Sequence, residues 1–317
     1  MTDYIIDATL KKYTGAQKEV IIPPEVQIIG TDAFAKNCNI ENVVIPEGVT
    51  TIEDFAFYGC ENLKTVKLPN SITHIGEGAF EDCFNLNKIN VPEHADVGSS
   101  AFANCPELAD ENGFIIRNGI LFDCVLDSSS ILQVPEGVKC INDFAQFPKD
   151  IKTLILPNTL RRIGAYAFEG CYELEKVVLP KVLFSIGEGA FCGCYSLTNI
   201  NVPRYTILGP HAFALCYSLA DDMGRIIVND VFFESGPKSS PQLVIPEGVS
   251  RIDDDAEAWM DVETIQLPNS IRVIGKGAFS TSDRIKNINL PSPHDIFELN
   301  EIKLRCTDQI TRIEGEQ

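Results

Sequence analysis

The sequence predicts a repeat solenoid, mainly β, in which about eleven short coils stack on one another. Prolines closing an apolar triplet fall at Pro23, Pro46, Pro69 and Pro92, then at Pro135, Pro157, Pro180 and Pro203, and finally at Pro246, Pro268 and Pro291, mostly 23 residues apart. A period of roughly 20 to 29 residues belongs to strand-bearing coils and is too short for stacked helix pairs. Each interval also repeats one text: residues 48–63 read GVTTIEDFAFYGCENL, and 71–86 read SITHIGEGAFEDCFNL. A larger period confirms the array, because Pro46, Pro69, Pro92, Pro135 and Pro157 recur 111 residues later at Pro157, Pro180, Pro203, Pro246 and Pro268. Whole blocks of coils are duplicated.

Residues 1–19 fall outside the register and are expected to cap the array, which occupies 20–291. Within a coil, Leu63, Val66 and Leu68 alternate with polar residues as in a strand with one buried face, and Pro69 closes it. In-register copies of this strand predict parallel pairing. A second short extended stretch follows, as in ITHIG, where Gly76 is expected to permit a bend. The segment EGAFEDC then reads as a single helical or 3-10 turn that plugs Phe80 into the interior. Two longer intervals break the rhythm near 109–130 and 220–241. They carry LADENGFIIRNGILFDC and LADDMGRIIVNDVFFES, in which Asn118-Gly119 and Asn229-Asp230 lie between apolar runs, so each is expected to be a protruding hairpin. The coils after them lack Ala-Phe-x-x-Cys and are expected to be the least regular. Residues 292–317 form a second cap or a tail.

Composition excludes several function classes. A formal charge of -19 and a pI near 4.6 leave no basic footprint for nucleic acid or an anionic membrane. No apolar stretch approaches the roughly 18 residues of a membrane helix. The start MTDYIIDATLKKYTG has neither a basic nor an apolar leader region, so the expected location is the cytoplasm, or the cell surface or exterior if an export signal belongs to the chain. Eleven cysteines are an odd number, and seven of them, Cys38, Cys60, Cys83, Cys105, Cys171, Cys194 and Cys216, occupy one repeat position. They read as reduced, buried thiols, with Cys192 the more accessible.

The coil text IPEGVTTIEDFAFYGCENLKTV and the interruption ADENGFIIRNGILF resemble the BspA-like leucine-rich repeat family of bacterial and protist proteins, over Ile21 to about Pro291. This chain has Pro where the usual leucine-rich repeat has Asn after its apolar triplet, so no buried asparagine ladder is expected. The resemblance implies a curved right-handed coil array with a concave parallel sheet, used for binding. Members include surface adhesins, and no catalytic residue carries over.

No enzymatic text survives inspection. GEGAF lacks the third glycine of a dinucleotide fingerprint, and His74, His94, His211 and His294 are scattered with no catalytic spacing. Asp253-Asp254-Asp255 lacks the spacing of a calcium loop and reads as a solvated acidic turn. The expectation is a monomer with no enzymatic activity, cofactor or metal. What remains is surface: the strand residue between the two buried ones forms an outward ladder of Ile21, Val44, Lys67, Asn90, Gln133, Ile155, Val178, Asn201, Val244, Gln266 and Asn289. Val44, Lys67, Asn90, Gln133, Ile155, Val178, Asn201 and Val244 are the expected partner-binding residues. Ile155 and Val178 form the apolar centre, and a protein of neutral or basic surface is the expected partner, or a glycan in an adhesin.

Overall fold

The apolar-polar alternation of each coil does form strands, and their equal spacing does pair them in register. The computed structural model describes residues 4–126 and 128–289 together with the strand Glu298–Leu299. It divides into two compact units, Met1–Ser128 with Glu136–Pro148, and Ser129–Pro135 with Lys149–Gln317. The expected cap at 292–317 and His294 lie outside the described residues, apart from that last strand.

In the first unit the strands Glu19–Ile21, Asn42–Val44, Thr65–Lys67 and Lys88–Ile89 form a parallel sheet in chain order, with Val20, Val43, Val66 and Ile89 aligned and buried. A second parallel sheet joins the two-residue strands Ile28–Ile29, Thr51–Ile52, His74–Ile75 and Asp96–Val97. In the second unit the long strands are Ile131–Gln133, Thr153–Ile155, Lys176–Val178 and Asn199–Ile200, then Gln242–Val244, Thr264–Gln266 and Asn287–Asn289. Its short strands include Arg162–Ile163, Ser185–Ile186 and Ile207–Leu208 in parallel register. Among the described residues, the strands that lie just before the coil prolines number eleven, matching the coil count read from the prolines.

The third side of each coil differs from the expected helical turn. Residues there alternate in role: Ala33, Ala35 and Asn37 donate their N–H groups to Gly30, Asp32 and Phe34 within the coil, closing successive turns. Asp32, Phe34 and Lys36 donate instead to Asp54, Ala56 and Tyr58 of the next coil. Aiming every second N–H along the stack requires left-handed residues either side of the phenylalanine, here Asp32 (φ 55°) and Lys36 (φ 59°). A helix would direct all of these donors inward, so cross-coil bonding replaces it. Among the described residues, short 3-10 pieces occur only beside the hairpins, at Pro106–Leu108 and Tyr217–Leu219. The glycine after the short strand serves close approach rather than a bend: a β-carbon on Gly187 would lie 2.6 Å from Ala165 N of the preceding coil.

Inside, the phenylalanines stack flat. Ring centroids are 4.6 Å apart for Phe34–Phe57, 5.1 Å for Phe57–Phe80 and 5.8 Å for Phe80–Phe102, and in the second unit 5.3 Å for Phe168–Phe191 and 5.5 Å for Phe191–Phe213.

The hairpins are corrected from appendages to parts of the stack. Phe114–Arg117 turns back through Asn118-Gly119 into Ile120–Cys124, whose Ile120 and Leu121 pair in parallel with Cys140 and Ile141 of the following coil. Phe122 packs edge-on against Phe102, inside the core. The copy Arg225–Val228 and Val231–Ser235 pairs likewise with Arg251–Glu257, and Phe233 closes on Phe213. A third hairpin, Tyr4–Ile6 with Thr9–Lys12, pairs with Ile28–Ile29. Alternating apolar residues on both faces of these strands, Phe114-Ile115 and Leu121-Phe122, are what bury them. The coil after the second hairpin is not ragged in the way expected: lacking Ala-Phe-x-x-Cys, it runs as the seven-residue strand Arg251–Glu257.

Candidate binding surface

The long-strand ladder is largely exposed, as its alternation requires. In the first unit Ile21 is 76% and Val44 39% exposed, and Lys67 lies open beside them. Asn90 is exposed, but its amide is engaged: Oδ1 accepts from Leu68 N at 3.1 Å and Nδ2 donates to Leu68 O at 2.9 Å. The strand there is one residue short, and the side chain continues the ladder, so Asn90 is not a free amide for a partner. In the second unit Val178 is 41% and Val244 37% exposed, with Gln133 and Asn201 open. Ile155 is half-buried rather than open. The expected apolar centre is therefore Val178 more than Ile155.

The cysteine column is structural, with one correction. Cys60, Cys83, Cys105, Cys171, Cys194 and Cys216 are buried and free. Five of these thiols donate to a phenylalanine carbonyl of the preceding coil, for instance Cys60 to Phe34 O at 3.2 Å and Cys105 to Phe80 O at 3.0 Å. Burial pushes the Cys60 and Cys171 thiols up to about 12, which removes nucleophilic thiolate at neutral pH. Cys38 is exposed instead of buried: it belongs to the first full coil, and its Sγ turns to Lys36 O of its own turn at 3.6 Å. Cys192 is half-buried.

The aspartate run is not a solvated turn. Asp253 is buried on a strand, accepts from His211 N and pairs with Arg251 at 3.1 Å. Burial raises it to about 6. Glu234 of the second hairpin is also buried, accepts from Leu215 N and is raised by burial to about 7. Asp123 of the first hairpin accepts from Asn104 N at 3.3 Å, Gln146 N at 3.1 Å and Cys124 N at 2.8 Å, and burial raises it too. These acids have one task. Where a hairpin replaces a coil, no turn carbonyl meets the N–H groups of the coil before it, and a carboxylate oxygen takes that place. His74 and His211 lie 3.7 and 3.8 Å from Asp96 and Asp255 respectively, as surface pairs. Among the described residues, no group of three or more His, Cys, Asp or Glu is placed to hold a metal ion.

Sequence reading missed two surface features, both in the second unit. Val182, Phe184, Tyr205 and Ile207 are exposed on adjacent coils, where Ile207 N donates to Phe184 O. Their counterparts 111 residues earlier are Ser71, Thr73, His94 and Asp96. Tyr172, Tyr195 and Tyr217 form a second aromatic column, stacked at 5.4 and 6.1 Å, that ends edge-on at Trp259. The signal was legible: CYEL, CYSL and CYSL stand where the first copy has CENL, CFNL and CPEL.

A model of the BspA type leucine rich repeat region matches residues 5–113, 115–221 and 225–314. Among solved structures, a leucine-rich repeat protein from Bacteroides ovatus is 22% identical, with 92% of this chain and 72% of that one covered and a TM-score of 0.40. A leucine rich cell surface protein from Faecalibacterium prausnitzii is 25% identical, with 94% and 76% covered and a TM-score of 0.36. The T. pallidum leucine rich repeat protein is 25% identical, with 67% and 83% covered and a TM-score of 0.32. No curated protein matches the chain.

Proposed function

Because the chain belongs to the BspA-type leucine-rich repeat family, whose stacked coils form a scaffold, we propose that it is a non-enzymatic interaction scaffold that binds a protein partner. The binding surface in the second unit comprises the long-strand ladder at Val178 and Val244 and the turn edge at Phe184 and Ile207. One observation carries this reading. Between two copies of the same block, the four edge positions change from Ser71, Thr73, His94 and Asp96 to Val182, Phe184, Tyr205 and Ile207 while the fold stays the same. Folding does not require exposed apolar side chains at sites that serve as well with polar ones, and a contiguous exposed apolar patch marks an association surface.

The test separates the two parts of the surface. Val178→Asp with Val244→Asp, and Phe184→Asp with Ile207→Asp, alter exposed side chains and should leave the thermal midpoint nearly unchanged. A partner captured by the wild-type chain should lose binding to at least one pair. Undiminished capture by both would remove this surface from the function.

A further inference from the structure

The second tyrosine column leads to a cavity of about 420 Å³ whose walls include Tyr217, Trp259, Glu234, Glu257, Asp283 and Arg284. The duplication supplies an internal control for its chemistry. Where this copy has Tyr217, Trp259 and Glu257, the first has Pro106, Pro148 and Gln146. Two aromatic rings and one carboxylate therefore converge on a place where the same fold manages without them.

The geometry of the walls is specific. Tyr217 and Trp259 meet edge to face, their planes at 84° and centroids 6.2 Å apart, so the rings form a corner. Glu234 and Glu257 are aligned partners on neighbouring parallel strands, which sets two acids side by side where like charges repel. Glu234 is held by Leu215 N, and Glu257 accepts the Thr281 hydroxyl at 2.9 Å, so neither is neutralised by these bonds. Asp283 adds a third carboxylate. Arg284, the cation on the wall, reaches Asp261 at 3.4 Å.

We propose that this cavity binds an organic cation of side-chain size, a guanidinium or alkylammonium group seated between the Tyr217 and Trp259 rings and the Glu257 carboxylate. Ring faces attract such a cation through their quadrupole, and a carboxylate beside them pairs with its N–H groups. A phosphate or other anion meets three acids. A neutral apolar ligand would cover the carboxylates without pairing them, which is costly. The volume lies within the roughly 300–1,000 Å³ usual for small-ligand sites. The cation has two possible sources, an arginine or lysine of a polypeptide and a free amine. This site does not depend on the long-strand face or its turn edge binding anything.

The chain contains a single tryptophan, so Trp259 emission reports on the cavity alone. Titration with N-acetyl-arginine methylamide at constant ionic strength should give a saturable change, whereas the uncharged citrulline analogue should give none. Glu257→Gln installs the residue of the other copy at an exposed position, so the fold should persist by thermal midpoint while affinity falls at least tenfold. Agmatine distinguishes the sources: tighter binding of the arginine amide assigns the cavity to a polypeptide side chain, and tighter binding of agmatine to a free amine, each upholding the site. An equal response to the citrulline analogue, or an unaltered titration in Glu257→Gln, would overturn the proposal.

Discussion

The aromatic layer sets the energetic scale of single residues. Phe80 and Phe191 are fully buried between stacked rings, so truncation of either to Ala should cost about 3–5 kcal/mol, whereas Lys67→Ala should stay within about 0.5 kcal/mol. Chemical denaturation measures both, and equal effects would contradict the stack. Thiol labelling of the native protein should modify Cys38 rapidly and leave Cys60, Cys83, Cys105, Cys171, Cys194 and Cys216 unreacted. Glu234 and Asp253 give a pH dependence of definite sign. Burial raises them to about 7 and about 6 from ordinary values of 4.5 and 3.8, so the folded chain holds these protons more tightly than the unfolded one. Stability therefore falls as pH rises through this window and is greater at pH 5 than at pH 8. Glu41, held down to about 2 by its bonds to Lys18 and Lys64, acts with the opposite sign but only below about 4.5, outside the comparison. Relief of the net negative charge on acidification acts in the same direction as the buried acids. The decisive measurement is therefore the urea midpoint of Glu234→Gln, whose pH dependence should be flatter than that of the wild type.

Hairpins are the elements on which sequence and structure part. The turn dipeptides Asn118-Gly119 and Asn229-Asp230 correctly announced two hairpins, but a turn signal says nothing about what the strands pair with. The buried run Leu121-Phe122 beside Phe114-Ile115 held the answer, because an appendage has no need of apolar residues on both faces. Deleting Arg117 to Ile120 should consequently destabilise the first unit by at least about 3 kcal/mol, since it removes the pairing with Cys140 and leaves the buried face unsupported. Asp123→Ala should cost about 1–3 kcal/mol for each backbone N–H left unpaired at Asn104 and Gln146. Melting curves that overlay the wild type would restore the hairpin to the status of an ornament. The turn ribbon was missed for a different reason. Left-handed residues four apart leave no uniform compositional mark, because the positions hold Asp32, Phe55, Tyr166 and His211 as well as Gly78 and Gly189, so cross-coil bonding decides what local propensity cannot.

At the scale of the chain, the proline spacing and the Ala-Phe-x-x-Cys text were enough to set strand count, pairing sense and core, because each repeats in register and one correct coil implies the others. The surface does not inherit that redundancy. Ladder positions such as Asn90 and Ile155 are equivalent by register yet different in state, the first exposed with its amide bonded to Leu68 and the second half-buried. The apolar edge and the tyrosine column are where the two copies differ. With 45 acidic residues against 26 basic ones, association with a basic partner should slow as salt is raised from about 0.05 to 0.5 M, with the loss concentrated in the on-rate. The carboxylates at the hairpins carry one further consequence. A block that ends on such an acid is chemically finished at its edge, so these seams are joints at which a gene can gain or shed a block and still encode a closed chain. Excision of residues 111–221, which would hand Asn104 N from Asp123 to Glu234, should yield a shorter protein that still melts cooperatively. Removal of an equal length begun mid-coil should not.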